Sequence, residues 1–166
     1  MSDLGQDTID LAGLRTGELL ALSRAILAEL RRGVIRTGNA PAGDYAELLV
    51  CVATGGELAP NSQASWDVLT PEPRPERLQV KARVVTNPKA AGQRQLSVVR
   101  SWDFEAAVIV LFDDEFIVWR AARLPVETLR EVARFVGHVS GYRIMARDEL
   151  LDAGEDWTSR LREAAR

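Results

Sequence analysis

Cysteine and histidine are almost missing from this chain: one of each occurs in 166 residues. Cys51 alone excludes an internal disulfide and any cysteine-rich zinc site. His138 alone excludes the histidine clusters of zinc hydrolases and of histidine-dependent nucleases. Long apolar runs are lacking too, the longest being Ala106 to Phe112, far short of a membrane span. The first residues, MSDLGQDTID, are acidic and have neither the basic nor the apolar region of a signal peptide, so a cytoplasmic protein is expected. No glycine-rich phosphate loop ending in Lys-Ser or Lys-Thr occurs, which argues against ATP hydrolysis. Lysine is the last scarcity: of 21 basic side chains, only Lys81 and Lys89 are not arginine.

What is present is ordinary in bulk. Apolar residues make up 46% and charged residues 27%, the composition of a soluble globular domain, and the length suits one domain with its own core. A net charge of −3 does not advertise nucleic-acid binding. Its distribution is more informative. Residues 74–100 carry seven basic side chains against Glu76 alone, and Asp103, Glu105, Asp113, Asp114 and Glu115 follow. Such a dipole can offer a cationic face to phosphate; the plainer reading is a solvated arginine-rich loop.

Periodicity predicts an amphipathic helix from Thr16 to about Arg32, with Leu19, Leu22, Ile26, Leu27 and Leu30 on one stripe and Gly33 as its stop. Packing of that stripe on the chain's own core is the expectation, contact with a second copy the alternative. The linker RTGNAPAG leads to a helix from about Asp44 to Thr54, closed by Gly55-Gly56. Short strands are expected at 57–59 and 66–69, then a proline-rich turn and a strand from Leu78 to Val85. AAVIVLF reads as a buried central strand with FIVWRAARL beside it. Pro125 opens a helix through VETLREVARFV, GYRIMA reads as a late strand, and residues 148–165 as a terminal helix. The class is α/β, a mixed sheet flanked by helices.

Chemistry concentrates on one strand. Side chains alternate, so Gln79, Lys81 and Arg83 share one face while Leu78, Val80, Ala82 and Val84 share the other. If the strands at 66–69 and 78–85 pair as a hairpin, Asp67 stands beside Gln79 and Lys81. A carboxylate with further oxygen ligands suits a hard cation such as Mg²⁺, and a nearby lysine can hold a water for attack on phosphate. A lysine in an arginine-biased chain suggests a need for a compact point charge. The rival reading has Lys81 snorkelling from an edge strand and Asp67 as a turn residue in an ion pair. Glu47 can point to the same end of the sheet as a further ligand, but Asp44-x-x-Glu47 also has the form of a capping box.

The order of these residues resembles the PD-(D/E)XK nuclease superfamily, which includes restriction endonucleases and junction resolvases. GDYAELLV, GGELAPNS, DVLT and LQVKAR more narrowly resemble a group of small bacterial proteins of unknown function placed there. The resemblance covers roughly residues 35–125 and implies a restriction-endonuclease-like αβββαβ core at 39–147, with a helical extension at 1–38 and a terminal helix at 148–166. It implies that Asp67 bridges the metal, Lys81 positions the attacking water and Glu47 is the helix acid, with Mg²⁺ or Mn²⁺ as cofactor. Gln79 departs from the usual acid before the lysine, exchanging a charged oxygen ligand for a neutral one. The expected activity is endonucleolytic cleavage of DNA, in a restriction or defence setting, with Arg83, Arg94 and Arg100 on backbone phosphates and a homodimer or partner subunit to cut a duplex. The alternative is the same fold without catalysis, binding DNA or a partner protein; a structural α/β protein is the third reading. Core packing is expected for Trp66, Trp102, Trp119 and Trp157, a capping role for His138, and apolar burial for Cys51.

Overall fold

The computed structural model describes residues 9–33, 40–60 and 65–166. Residues 36–39 of the expected linker and the Asn61-Ser62 end of GGELAPNS lie outside them. The described residues form a mixed α/β structure: helices α1 (Thr16–Gly33), α2 (Pro41–Thr54), α3 (Val126–Val132), α4 (Asp148–Asp152) and α5 (Thr158–Ala164) accompany eight strands. Six of these make one sheet in the order β1-β2-β3-β4-β5-β8, namely β1 (Glu57–Leu58), β2 (Val68–Leu69), β3 (Arg77–Val84), β4 (Ala106–Phe112), β5 (Val118–Pro125) and β8 (Glu155–Asp156). Strands β6 (Arg134–Val136) and β7 (Gly141–Arg143) form a separate antiparallel ribbon.

β2 and β3 are the expected hairpin, with Val68 opposite Leu78. β3 and β4 run parallel, so the chain must cross over between them, through residues 85–105. Strand β4 is buried at every residue, as its unbroken apolar run requires of a central strand. Its two faces feed two cores. Val108, Val110 and Phe112 join Leu78, Val80 and helices α2 and α5 on one side. Ala107, Ile109 and Leu111 join the crossover residues Leu96, Val99 and Phe104, with α3 and α4, on the other. Trp157 is buried and the other three tryptophans are half-buried against core, as expected.

Four expectations are corrected. Helix α2 begins at Pro41, with Ala40 as N-cap and no side-chain cap. Proline at the first turn lacks only an amide hydrogen that has no helical partner there, so the helix starts before Asp44 and the capping box does not form. Helix α3 stops at Val132, and Arg134–Val136 turns into strand because β7 supplies a ladder partner. His138 accordingly sits in a 3₁₀ turn between β6 and β7. The terminal helix is broken into α4, β8 and α5, since Gly154 passes so close to β5 that a Cβ there would lie 2.7 Å from the Arg123 carbonyl oxygen. Finally, α1 does not bury its stripe: Leu19 is 37% and Ile26 49% exposed, and Leu22, Leu27 and Leu30 are only half-buried.

The end of α2 follows the sequence. Gly55 takes the left-handed conformation (φ 66°), and its neighbour Gly56 approaches Leu69 where no side chain would fit. Cys51 is only half-buried; its thiol donates to the Gly56 carbonyl oxygen at 3.1 Å, and burial pushes its pKa up. This glycine turn sends the chain directly into β1 and sets α2 across the sheet end that carries Asp67.

Candidate functional site

The site begins with a strand that is too short. β2 contains two residues, so β3 has lost its ladder partner by Val80, whose N–H would face outward unbonded. Asp67, one residue before β2, supplies the missing acceptor. Its backbone N–H still donates to the Leu78 carbonyl (2.8 Å), and its own carbonyl accepts from Ala59 (2.8 Å). The side chain then reaches along β3, where Oδ2 accepts from Val80 N–H at 2.6 Å and from Gln79 Nε2 at 2.5 Å. Gln79 is only 8% exposed, and this contact satisfies one end of its amide.

Lys81 shares that face but turns toward the crossover. Its Nζ donates to Ser97 Oγ at 3.1 Å and to the Val98 carbonyl oxygen at 3.3 Å, and the side chain is half-buried. Burial pushes the Lys81 ammonium below its ordinary value of 10.5, with Arg100 adding to the effect, while Asp67 and Glu47 oppose it. The same influences show that Asp67, Glu47 and Arg100 all lie within electrostatic reach of Lys81. Glu47, in the second turn of α2, is half-buried. Thus Asp67, Gln79 and Lys81 come together on one sheet face, and Glu47 acts on the same point. Lys81 does not snorkel into solvent.

The cationic residues separate. Arg94 is 8% exposed and held inside: Nη1 donates to Asp148 (2.9 Å) and to the Ala146 carbonyl oxygen (3.3 Å), the guanidinium lies 4.9 Å over the Trp119 ring, and the buried Nε has no hydrogen-bond partner among the described residues. It ties the crossover to α4 and β5, and cannot meet a backbone phosphate as expected. Arg83 is exposed, with Nε donating to the Gln95 carbonyl oxygen at 2.5 Å. Arg100 is exposed beside Lys81. The sequence reading missed Ser97 and Val98, the partners of Lys81; a serine in an irregular crossover carries no spacing signal.

The donor set can be tested against a divalent cation. Among the described residues, no group of three His, Cys, Asp or Glu side chains is placed to hold a metal ion. Asp67 and Glu47 offer carboxylates, so a third oxygen must come from Gln79. At present Gln79 turns its NH₂ to Asp67, which is the favourable orientation when two oxygens would otherwise face each other. A half-turn of the carboxamide presents Oε1 instead. Two carboxylates and one amide oxygen are the donor chemistry a hard cation takes.

No protein-family model matches the chain, and no curated protein matches it. Among solved structures, a bacterial homing endonuclease is similar to it, with a TM-score of 0.44 and 17% sequence identity, over 76% of this chain and 95% of that one.

Proposed function

We propose that the protein is a metal-dependent endonuclease acting on DNA. The observation that carries this reading is the convergence of Asp67, Gln79 and a half-buried Lys81 at one sheet edge, with Glu47 in electrostatic reach. Asp67 and Glu47, with Gln79 turned over, would hold Mg²⁺ or Mn²⁺. When bound, the ion supplies charge stabilisation at the phosphate and acidifies a water. The protein's part is positional. Asp67 is fixed by the Val80 N–H, and Lys81 is held by Ser97 and Val98 at a depth where water is partly excluded. There its ammonium can orient a water toward phosphorus and, with its lowered pKa, help manage the proton. Water then forms the new P–O bond as the bond to the leaving oxygen breaks, and Arg83 and Arg100 contact flanking phosphates. A restriction or defence role, with two copies or a partner subunit cutting a duplex, extends this reading.

One observation favours the second reading. Gln79 donates its NH₂ to Asp67 Oδ2, which points a donor at the carboxylate oxygen that a metal ligand must offer, as in a site that has lost catalysis and retains binding. Incubation with plasmid and with short single- and double-stranded DNA, in Mg²⁺, Mn²⁺ or chelator, separates the two. Cleavage that needs metal and disappears in Asp67→Asn and Lys81→Ala supports the enzyme. Retention of DNA without cleavage supports the binding module. Cleavage that survives both substitutions removes this site from the chemistry.

A further inference from the structure

The β6–β7 ribbon contains an arrangement that opposes its own stability. Its register sets Arg134 directly opposite Arg143, and like charges directly across an antiparallel pair repel. Four arginines of the main sheet and the crossover pair with acids, Arg77 with Asp103 and Glu105, Arg94 and Arg120 with Asp148, and Arg123 with Glu76, while Arg83 and Arg100 pair with none among the described residues. Among the described residues, no acid pairs with Arg134, Arg143 or Arg147. The Nε of Arg143 is moreover buried without a hydrogen-bond partner, a group that ordinarily requires an acceptor.

These three arginines line one groove of about 870 Å³ between α3, the ribbon and α4. Glu131 and Glu149 lie on its wall, while Phe135, the next residue along the strand from Arg134, sets its ring against Tyr142. The crossover joins the groove to the site described above. It bridges to β7 at Val99–Tyr142 and beside it at Gln95–Met145, while Ser97 and Val98 hold Lys81.

We propose that this groove binds a nucleic-acid strand, with Arg134 and Arg143 clamping one backbone phosphate. Guanidinium forks match phosphate oxygens, and an anion between them converts their repulsion into two charge-assisted contacts. Arg147 meets a neighbouring phosphate. Glu131 and Glu149 disfavour a compact polyanion such as a triphosphate and suit a ligand whose negative charges are single and spaced. The identity of the ligand as nucleic acid rests on the proposed function; the anion site rests on the arginine pair alone.

The test is fluorescence anisotropy of labelled single- and double-stranded oligonucleotides, in chelator and over a salt series. Wild type is compared with Arg134→Gln, Arg143→Gln, Arg147→Gln and, as a control on α1, Arg32→Gln. Each groove substitution is expected to lower the slope of log affinity on log salt by about one and to weaken binding several-fold, while Arg32→Gln keeps the full slope. Thermal unfolding supplies an independent readout. Arg134→Gln relieves the repulsion, so its Tm without ligand should equal or exceed that of wild type, and the Tm rise given by inorganic phosphate should shrink. An unchanged salt slope in a folded Arg134→Gln protein overturns the proposal. A phosphate-dependent Tm rise that depends on Arg134, with no oligonucleotide bound, overturns the strand as ligand. Binding through the groove with no cleavage under any metal refutes the nuclease reading and leaves the groove standing.

Discussion

Strand β3 offers the same backbone to two environments. Leu78 and Val80 enter the core beneath α2, while Gln79 and Lys81 face a layer made by an irregular crossover. The apolar face packs against α2, with Leu78 fully buried among Leu49 and Val50 in one cluster. On the polar face every group has a named partner at hydrogen-bond distance: Gln79 with Asp67, Lys81 with Ser97 and Val98, Arg83 with Gln95. One face holds the strand in place and the other fixes atoms. Substitutions on the first should therefore appear in stability, and on the second in chemistry.

The largest expected effect is on the apolar side. Leu78 is fully buried, and Leu78→Ala should cost about 2–5 kcal/mol, read from a urea unfolding curve. DNA binding and cleavage per folded molecule should remain near wild type. A variant of normal stability but no activity would break the division between the faces. Next comes Lys81→Ala, where loss of water-positioning should lower cleavage by roughly a hundredfold or more while Tm moves little. Single-turnover rates at saturating protein check this. A proportionate fall in Tm and activity would assign Lys81 to the fold.

This division explains what the sequence could reveal. Alternation along LQVKAR identified the two faces, because a two-residue period follows from strand geometry alone. The central position of AAVIVLF was readable for a different reason, its unbroken apolar run, while the hairpin between the strands at 66–69 and 78–85 was a condition that the register of β2 and β3 met. The stripe of α1 was equally clear, yet α1 leaves it exposed where α2 buries its own. Periodicity shows that a face is apolar and says nothing about what covers it. The capping box failed because Pro41 outcompetes Asp44 for the helix start, a contest between two local signals. Arg94 failed because net charge along a segment does not distinguish a guanidinium pointing to solvent from one packed between Trp119 and Asp148. The Arg134–Arg143 pair was invisible for another reason: VARFV continues a helical pattern until β7 is present to pair with it.

Gln79→Glu sharpens the comparison within the polar face. A second carboxylate replaces the donor now satisfying Asp67, so the two acids should repel without metal and attract a divalent cation more strongly. The expected result is a lower Tm in chelator and a larger Tm rise on adding Mg²⁺ or Mn²⁺ than wild type shows. Equal metal-dependent shifts in both proteins would remove Gln79 from the ligand set.

The smallest effect is also the most specific. Because burial holds Lys81 below 10.5, there is a pH window in which the unfolded chain retains its proton and the folded chain has lost it. Throughout that window the unfolded state binds more protons, so this group's contribution makes stability rise with pH. Below the folded value both states are protonated, and the penalty for burying the charge is present in full. Lys81→Met removes the titration and keeps the length of the side chain. The stability of wild type minus that of Lys81→Met, from urea melts at successive pH values, should therefore be level at neutral pH and climb as pH approaches 10.5. A difference that stays level across the whole range means that Lys81 is as well solvated in the folded protein as in the unfolded chain. In that case the two faces of β3 do not differ in the way that water-positioning requires.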